Sequence, residues 1–223
     1  MLDFATARDN MVEGQLRTRD VTDLRILAAM GELPRERFVP ADRRAFAYMD
    51  EDLLLKPGSG GMPPRYLMEP TAFARLVQLA EIGPQDHVLD IGSGTGYGAA
   101  VLSRLAGSVV ALEGDPDLLR MAETALAELG VGNVTLVSGP LEAGYPAVAP
   151  YDVILLEGAV EVLPEALLQQ LKDGGRLVAV EGQGRSATAM RHVRVGDEFS
   201  GVGAFDCAVP LLPGFAKAPS FTF

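Results

Sequence analysis

The segment Val88-Leu89-Asp90-Ile91-Gly92-Ser93-Gly94-Thr95-Gly96-Tyr97-Gly98 sets glycines at alternate positions where a short apolar run gives way to a helical pattern. Glycine reaches backbone conformations closed to other residues and lets the chain approach a ligand closely. A buried strand that turns into a helix through such a loop must be covered on both faces, which is the construction of a parallel α/β sheet. In open sheets of this kind, ligands lie at the carboxyl ends of the strands, where the strand order reverses. The loop therefore constrains both the fold and the place where a ligand sits.

The rest of the chain agrees with that beginning. Apolar periodicity predicts a helix over 71–81, a strand over 87–91, a helix over 98–105, a strand over 108–113, a helix over 116–129 and a strand over 133–137. A strand over 151–156, a helix over 164–171 and a strand over 175–181 continue the alternation, with Gly130 and Gly174 as helix ends. The expected class is α/β, a doubly wound and mostly parallel Rossmann-like sheet. Residues 191–195 and 203–211 read as strands joined by a turn at Gly196-Asp197, an antiparallel C-terminal edge.

Ahead of the core, Met11, Leu16, Val21, Leu24, Leu27, Ala28 and Met30 recur at helical spacing, interrupted near residues 20–22. Two helices form an N-terminal extension. Residues 56–70 hold four prolines and three glycines, a composition that favours irregular backbone and marks a candidate substrate loop. Residues 1–70 thus read as cap and substrate loop and 71–223 as the ligand-binding core of one domain, the usual outcome for 223 residues.

Composition narrows the function. A net charge of −11 opposes nucleic-acid phosphates, so DNA and RNA are not expected partners. The arginines at 17, 19, 25, 35, 37, 43 and 44 concentrate positive charge near the front and read as solvated helix faces. Cys207 is the only cysteine, so there is no intrachain disulfide and no cysteine cluster for a metal. Met1-Leu2-Asp3-Phe4 lacks the basic start of a secretory signal, and no apolar run reaches membrane-spanning length. A cytoplasmic protein is expected, with its oligomeric state open.

Three ligands compete for the glycine loop. A P-loop nucleotide requires Gly-Lys-Ser/Thr, which does not follow. A dinucleotide stays open on spacing, because Gly94-Thr95-Gly96-Tyr97-Gly98-Ala99 satisfies the degenerate fingerprint. S-adenosylmethionine carries an ammonium and a carboxylate in place of the pyrophosphate. Asp90 is positioned for the ammonium end, and Glu113, closing the next strand, for the ribose hydroxyls. Acid, glycine ladder and second acid favour S-adenosylmethionine. Candidate contacts are Asp90, Gly92, Ser93, Gly94, Thr95, Gly96, Glu113 and Gly114, then Gly139, Pro140 and Leu141 after the following strand, and Glu157 after the next. Ser93 and Thr95 also read as helix-start hydroxyls, and Asp115 as a helix cap. Replacing Glu113 by Ala is expected to weaken donor binding and to leave the fold intact.

Several stretches together resemble the protein-L-isoaspartate O-methyltransferase family. They are Met11-Val12 with Gln15-Leu16, Val21-Thr22-Asp23, Ile26-Leu27-Ala28-Ala29-Met30, Pro34-Arg35-Glu36-Arg37-Phe38-Val39-Pro40, the glycine loop with Tyr97, Asn133-Val134-Thr135 and Gly139, Tyr151-Asp152-Val153-Ile154, and residues 167–178. The resemblance implies a doubly wound methyltransferase fold, S-adenosylmethionine as donor and, as partner, a protein or peptide carrying an isoaspartyl residue whose carboxylate is methylated.

The chain departs from that family in three places. The family's Gly-Gln-Thr-Ile-Ser-Gln-Pro is missing: counting back from Pro70, Thr-Ile-Ser falls on Tyr66, Leu67 and Met68, with Glu69 for Gln. Ser59 is the only remaining candidate for the loop's catalytic serine, and it also reads as a turn residue. Ser138-Gly139-Pro140-Leu141 replaces Gly-Asp-Gly, leaving Glu142 as the nearest carboxylate, and Glu157-Gly158-Ala159-Val160 replaces Thr-Ala-Ala-Ala. A more apolar acceptor pocket follows, with Arg65 the nearest partner for a carboxylate, so a same-fold methyltransferase with another acceptor and a non-catalytic S-adenosylmethionine-binding member stay open beside the isoaspartyl enzyme.

Overall fold

A computed structural model describes residues 3–60 and 62–217. Met1 and Leu2 of the N-terminal reading, Gly61 of the substrate loop and residues 218–223 lie outside the described residues.

Asp3 caps helix α1 (Phe4–Met11) by accepting the amides of Ala5 and Thr6. The chain passes through a π-helical turn, Val12–Leu16, and a short 3-10 turn, Arg17–Arg19, then breaks at Asp20, whose φ is 64°. Helix α2 (Leu24–Glu32) follows, capped by Asp23. This is the expected extension with its break in place. Two further 3-10 turns, Arg35–Phe38 and Ala41–Phe46, lead into strand β1 (Leu53–Lys56).

The expected irregular loop is partly regular. Strand β2 (Arg65–Leu67) pairs antiparallel with β1, Leu53 opposite Leu67 and Lys56 opposite Arg65. Leu53, Leu55, Leu67 and Met68 are buried, so the apolar residues that displace the family's polar motif form a hairpin with an inner face. Helix α3 (Pro70–Ala80) then starts on a proline, where the missing amide costs nothing.

The core alternates as the periodicity predicts: β3 (His87–Ile91), α4 (Tyr97–Ser103), β4 (Ser108–Glu113), α5 (Pro116–Glu128), β5 (Val134–Ser138). Asp115 caps α5 through the amides of Asp117 and Leu118, ahead of Pro116 in the first turn. Then come β6 (Tyr151–Val160), α6 (Glu165–Leu168), β7 (Leu171–Glu181), β8 (Thr188–Val195) and β9 (Glu198–Asp206). The seven-stranded sheet has the order β5-β4-β3-β6-β7-β8-β9. Strands β3 to β7 run parallel, while β8 runs antiparallel to both β7 and β9. The sequence steps from β3 outward to β4 and β5, then returns to place β6 on the other side. The glycine loop leaves β3 at that reversal.

Three boundaries differ from expectation. The helix over 164–171 shrinks to Glu165–Leu168, because Gln170 instead donates to Ala143 O and accepts the Tyr145 amide, and Leu171 already pairs with Tyr151. Gly174, at φ 76°, therefore lies inside β7 and not at a helix end; Gly130 does follow α5, at φ 64°. Strand β6 runs past 156 to Val160, with Leu155 opposite Val178 but Ala159 opposite Val180, so the intervening segment bulges. The last hairpin ends at Asp206, and residues 207–211 leave the sheet. No helix among the described residues is long and apolar enough to cross a membrane.

Candidate active site

Four strand ends meet at the reversal. Asp90 comes from β3, Glu113 from the tip of β4, Ser138 to Leu141 follow β5, and Glu157 lies in the bulge of β6. The loop is held by its own backbone: the amides of Gly92 and Ser93 donate to Leu112 O, and that of Gly96 to Ser93 O. Gly92 has φ 80°, and a Cβ there would lie 2.8 Å from Leu212. Thr95 is fully buried and donates its hydroxyl to Phe38 O, tying the loop to the N-terminal extension. Its side chain is committed to the fold. Ser93 is equally buried, yet its hydroxyl has no partner.

Beneath the loop lies an unusual pair. Asp90 and Glu157 are both buried, and the two carboxyls are close enough for each to perturb the other. Among the described residues nothing donates to either Asp90 oxygen or to Glu157 Oε1. Burial raises Asp90 well above the usual carboxylate range, with Glu157 beside it adding to the shift, and burial lifts Glu157 to about 7. A proton held on the pair relieves their like charge without supplying donors to the remaining oxygens. A Cβ on Gly98 would fall inside the Glu157 carboxylate, so glycine at that point of α4 is what admits the acid.

Glu113 is the opposite case. Its oxygens accept Arg65 Nη1 at 2.6 Å and Arg65 Nη2 at 2.9 Å, and also the amides of Gly94 at 2.8 Å, Gly114 at 2.8 Å and Asp115 at 2.9 Å. Arg65 comes from β2 and also donates to Gly92 O at 3.3 Å. The arginine named above as nearest the acceptor pocket is thus aimed inward, onto the acid expected to hold ribose hydroxyls. Nearby, Lys56 reaches Asp115 at 2.7 Å and Asp117 at 2.7 Å, so the hairpin is fastened twice to the end of β4.

Two spaces flank Arg65. The larger is a cavity of about 520 Å³, within the range of small-molecule sites, lined by Gly114, Asp115, Ser138, Gly139, Pro140, Leu141 and Glu142 on one side. The hairpin supplies Lys56, Pro57, Ser59, Met62 and Pro63, and the C-terminal tail adds Pro213 and Gly214. Ser59 therefore stands at this cavity, bridged to Met62 in a turn, and does not line the space beside Glu157. Glu142, the carboxylate nearest in sequence to Pro140, is half-buried at the cavity wall.

The smaller space is a crevice of about 10 Å³ between Tyr66, Met68, Glu157 and the tail residues Val209 to Leu212. That tail is laid down by main-chain bonds, Ala159 N to Pro210 O at 2.9 Å and Leu212 N to Ala159 O at 2.9 Å. Sequence reading placed residues 203–211 in the edge strand; residues 207–211 instead leave β9 and fold over the strand ends.

Arg35 was also misread. It is completely buried, donating to Ala47 O and Met68 O with its guanidinium 4.7 Å from the Tyr97 ring centroid, while the other arginines of the group lie at or near the surface. It holds the hairpin, the extension and α4 together. His87 stacks on Tyr151 at 4.8 Å and His192 pairs with Glu181; neither lines the two spaces. Among the described residues no cluster of ligating side chains could hold a metal ion.

Comparison with known proteins follows the same lines. A family model described as Protein-L-isoaspartate(D-aspartate) O-methyltransferase matches residues 6–205. Protein-L-isoaspartate O-methyltransferase 2 of an Anaeromyxobacter species is 42% identical over 177 residues, covering 79% of this chain and 70% of its own. The enzyme of that name from Herpetosiphon aurantiacus is 37% identical over 218 residues, 96% of this chain and 95% of its own. A solved protein-L-isoaspartate O-methyltransferase superposes with a TM-score of 0.80 at 28% identity; the match covers 93% of this chain and 66% of that one. A putative protein-L-isoaspartate O-methyltransferase from Plasmodium falciparum, solved with S-adenosyl-L-homocysteine, shares the fold at a TM-score of 0.75 and 16% identity, over 95% of this chain and 99% of that one.

Proposed function

Since the chain belongs to the protein-L-isoaspartate(D-aspartate) O-methyltransferase family, we propose that it transfers the methyl group of S-adenosylmethionine to the carboxylate of an isoaspartyl residue in a protein or peptide. The observation that carries this reading is the buried pair Asp90 and Glu157, unsatisfied beneath the glycine loop. Buried carboxylates without donors are costly unless a ligand completes them. The donor's ammonium offers N–H groups and positive charge at that point. A dinucleotide pyrophosphate would bring negative charge to two acids and is disfavoured.

In this assignment Asp90 and Glu157 face the ammonium end. The backbone of Gly92, Ser93, Gly94, Thr95 and Gly96 packs along the methionyl chain, and Glu113 with Gly114 takes the ribose. Gly139, Pro140 and Leu141 wall the adenine side of the larger cavity, where Glu142 supplies the carboxylate that Pro140 cannot. Residues 1–70 act as cap and acceptor-binding segment, 71–223 as donor-binding core. Ser59, at the rim of the donor cavity, is left without a catalytic role.

The donor supplies an electrophilic methyl group on a sulfonium. An acceptor carboxyl with pKa near ~4 is already ionised at neutral pH, so the protein need not remove a proton. Its contribution is placement and dryness. The hairpin β1–β2 and the tail 207–215 close the acceptor side with Tyr66, Met68, Val209 and Leu212, which keep water from the reacting atoms.

Incubation with tritiated S-adenosylmethionine and an isoaspartyl peptide should give label that alkali releases, as from a methyl ester, and none with the aspartyl control. Label resistant to alkali supports a different reading, in which Glu157, held near neutral pH at the crevice, takes a proton from a hydroxyl or amine acceptor.

A further inference from the structure

Arg65 lies where the two halves of the site touch. Glu113 accepts two hydrogen bonds from its guanidinium and three from backbone amides. A carboxylate offers about four lone-pair sites, so Glu113 is saturated. It cannot also accept ribose hydroxyls unless something leaves. The amides belong to the glycine loop and to the turn after β4, fixed by the fold. The guanidinium, at the end of a flexible side chain, is the movable donor.

Its alternatives are limited. Arg65 is the only cationic side chain among the described residues lining the crevice beside Glu157, and it lines the larger cavity as well. Lys56 is bound by Asp115 and Asp117, and Arg35 by two carbonyls and the Tyr97 ring. An acceptor carboxylate entering the crevice meets apolar walls and the acid Glu157. That is unfavourable unless a cation pairs with it. A guanidinium matches a carboxylate with two parallel hydrogen bonds, as Arg65 already does with Glu113.

We infer that Arg65 is the residue that binds the acceptor's carboxylate, freed for the task when Glu113 turns its oxygens to the donor's ribose. The inference rests on the isoaspartyl reading for the nature of the acceptor. It assigns to one arginine the work of the family's missing Thr-Ile-Ser segment. It also makes binding ordered: with Arg65 held on Glu113 the acceptor lacks its cation, so donor and acceptor strengthen each other's binding. Such coupling is reciprocal.

The unaltered protein gives the first test. Calorimetric titration with an isoaspartyl peptide should show at least tenfold tighter binding when S-adenosylhomocysteine is present than when it is absent. Equal affinity overturns the inference. The second test uses Arg65→Met and Arg65→Lys, the latter keeping a cation should the former fail to fold. Arg65→Met should bind S-adenosylhomocysteine as tightly as the unaltered protein or several-fold more tightly, because Glu113 is no longer contested, and Arg65→Lys should bind it at least as tightly as the unaltered protein. The peptide's KM should rise at least tenfold in Arg65→Met and less in Arg65→Lys, with kcat changed far less than KM. A merely structural Arg65 would instead weaken S-adenosylhomocysteine binding in parallel with activity, and that result overturns the inference. The two readings fail separately. Unaltered protein that binds S-adenosylhomocysteine but neither binds nor methylates isoaspartyl peptide refutes the isoaspartyl acceptor and, with it, the carboxylate role. Active protein whose peptide KM is indifferent to Arg65 refutes the arginine alone.

Discussion

The proposed donor side and the proposed acceptor side of this site are built in different ways. The donor side consists of strand ends: Asp90, the glycine loop, Glu113 and Glu157 each sit where a parallel strand stops or bulges, positioned by the sheet. The acceptor side consists of two segments distant in sequence, the β1–β2 hairpin and the tail 207–215, folded over those ends and pinned there by a few contacts. A sheet fixes the positions of backbone amides whatever the side chains are. A folded-over segment depends on each side chain that fastens it. The first kind of construction tolerates divergence without losing its chemistry, and the second is where substrate specificity can change.

The sharpest way to break this comparison is to cut the link between the halves. Glu113→Ala leaves the Arg65 guanidinium buried, with Gly92 O as its one remaining partner. Removing one member of a buried pair typically costs about 3–5 kcal/mol. The structure thus revises the expectation that Glu113→Ala would leave the fold intact. Urea unfolding should show the loss, and adding Arg65→Met should restore most of it, since the two changes are coupled. A Glu113→Ala protein as stable as the unaltered one would mean that the acceptor segment is not fastened through this pair.

Next in size is the tail. Leu212 is buried over Gly92 and Gly158, so truncating it to Ala should cost about 2–4 kcal/mol by removing packed methyls and leaving a cavity. Differential scanning calorimetry would detect it. A change within the scatter of the measurement would show the tail to be a loose cover.

Asp90→Asn tests the donor side, and its two effects should run in opposite directions. Loss of a charge-assisted contact is expected to weaken S-adenosylhomocysteine binding by about 1.5–3 kcal/mol, while the fold gains stability because a buried carboxyl pair is relieved. The gain depends on pH. The folded state keeps a proton on the pair that the unfolded chain releases, so unaltered protein should lose stability as pH rises from Glu157's ordinary 4.5 toward about 7, by an amount on the order of 2 kcal/mol. Thermal melts across that interval should slope downward for the unaltered protein and be flatter for Asp90→Asn. Parallel slopes would place the titration elsewhere.

The same division explains what the sequence revealed. The parallel strands, the glycine loop and the acids at 90 and 113 were legible because strand-loop-helix periodicity puts functional residues at fixed offsets from apolar runs. Arg35 and Arg65 were harder. A buried arginine looks in sequence like any other arginine, and its burial depends on carbonyls of Ala47 and Met68 or on a carboxylate 48 positions away. Strand β2 hid among prolines because its pairing with β1 is set by the buried leucines 53 and 67, not by alternation over a length that pattern reading can use. The tail, read as the end of the edge strand, was misplaced for a related reason: one bridge, Ala159 to Leu211, and a few main-chain bonds place it.

The smallest expected effect separates burial from charge. Lys56 and Arg65 face each other across the same hairpin register and fasten it to acids at the end of β4, Lys56 on Asp115 and Asp117 and Arg65 on Glu113. By counting ion pairs the two should matter alike. Lys56, however, is only half-buried and its partner Asp117 is exposed, so water and salt compete for these pairs and they contribute little. Asp115 also keeps its capping bonds to Asp117 and Leu118 when the lysine is gone. Lys56→Ala should leave the urea midpoint unchanged within error and its salt dependence nearly flat, against the large loss for Glu113→Ala. If the lysine variant unfolded as readily, the hairpin would be held by charge alone, and the donor and acceptor sides would be fastened by the same surface electrostatics, not by one buried pair shared between them.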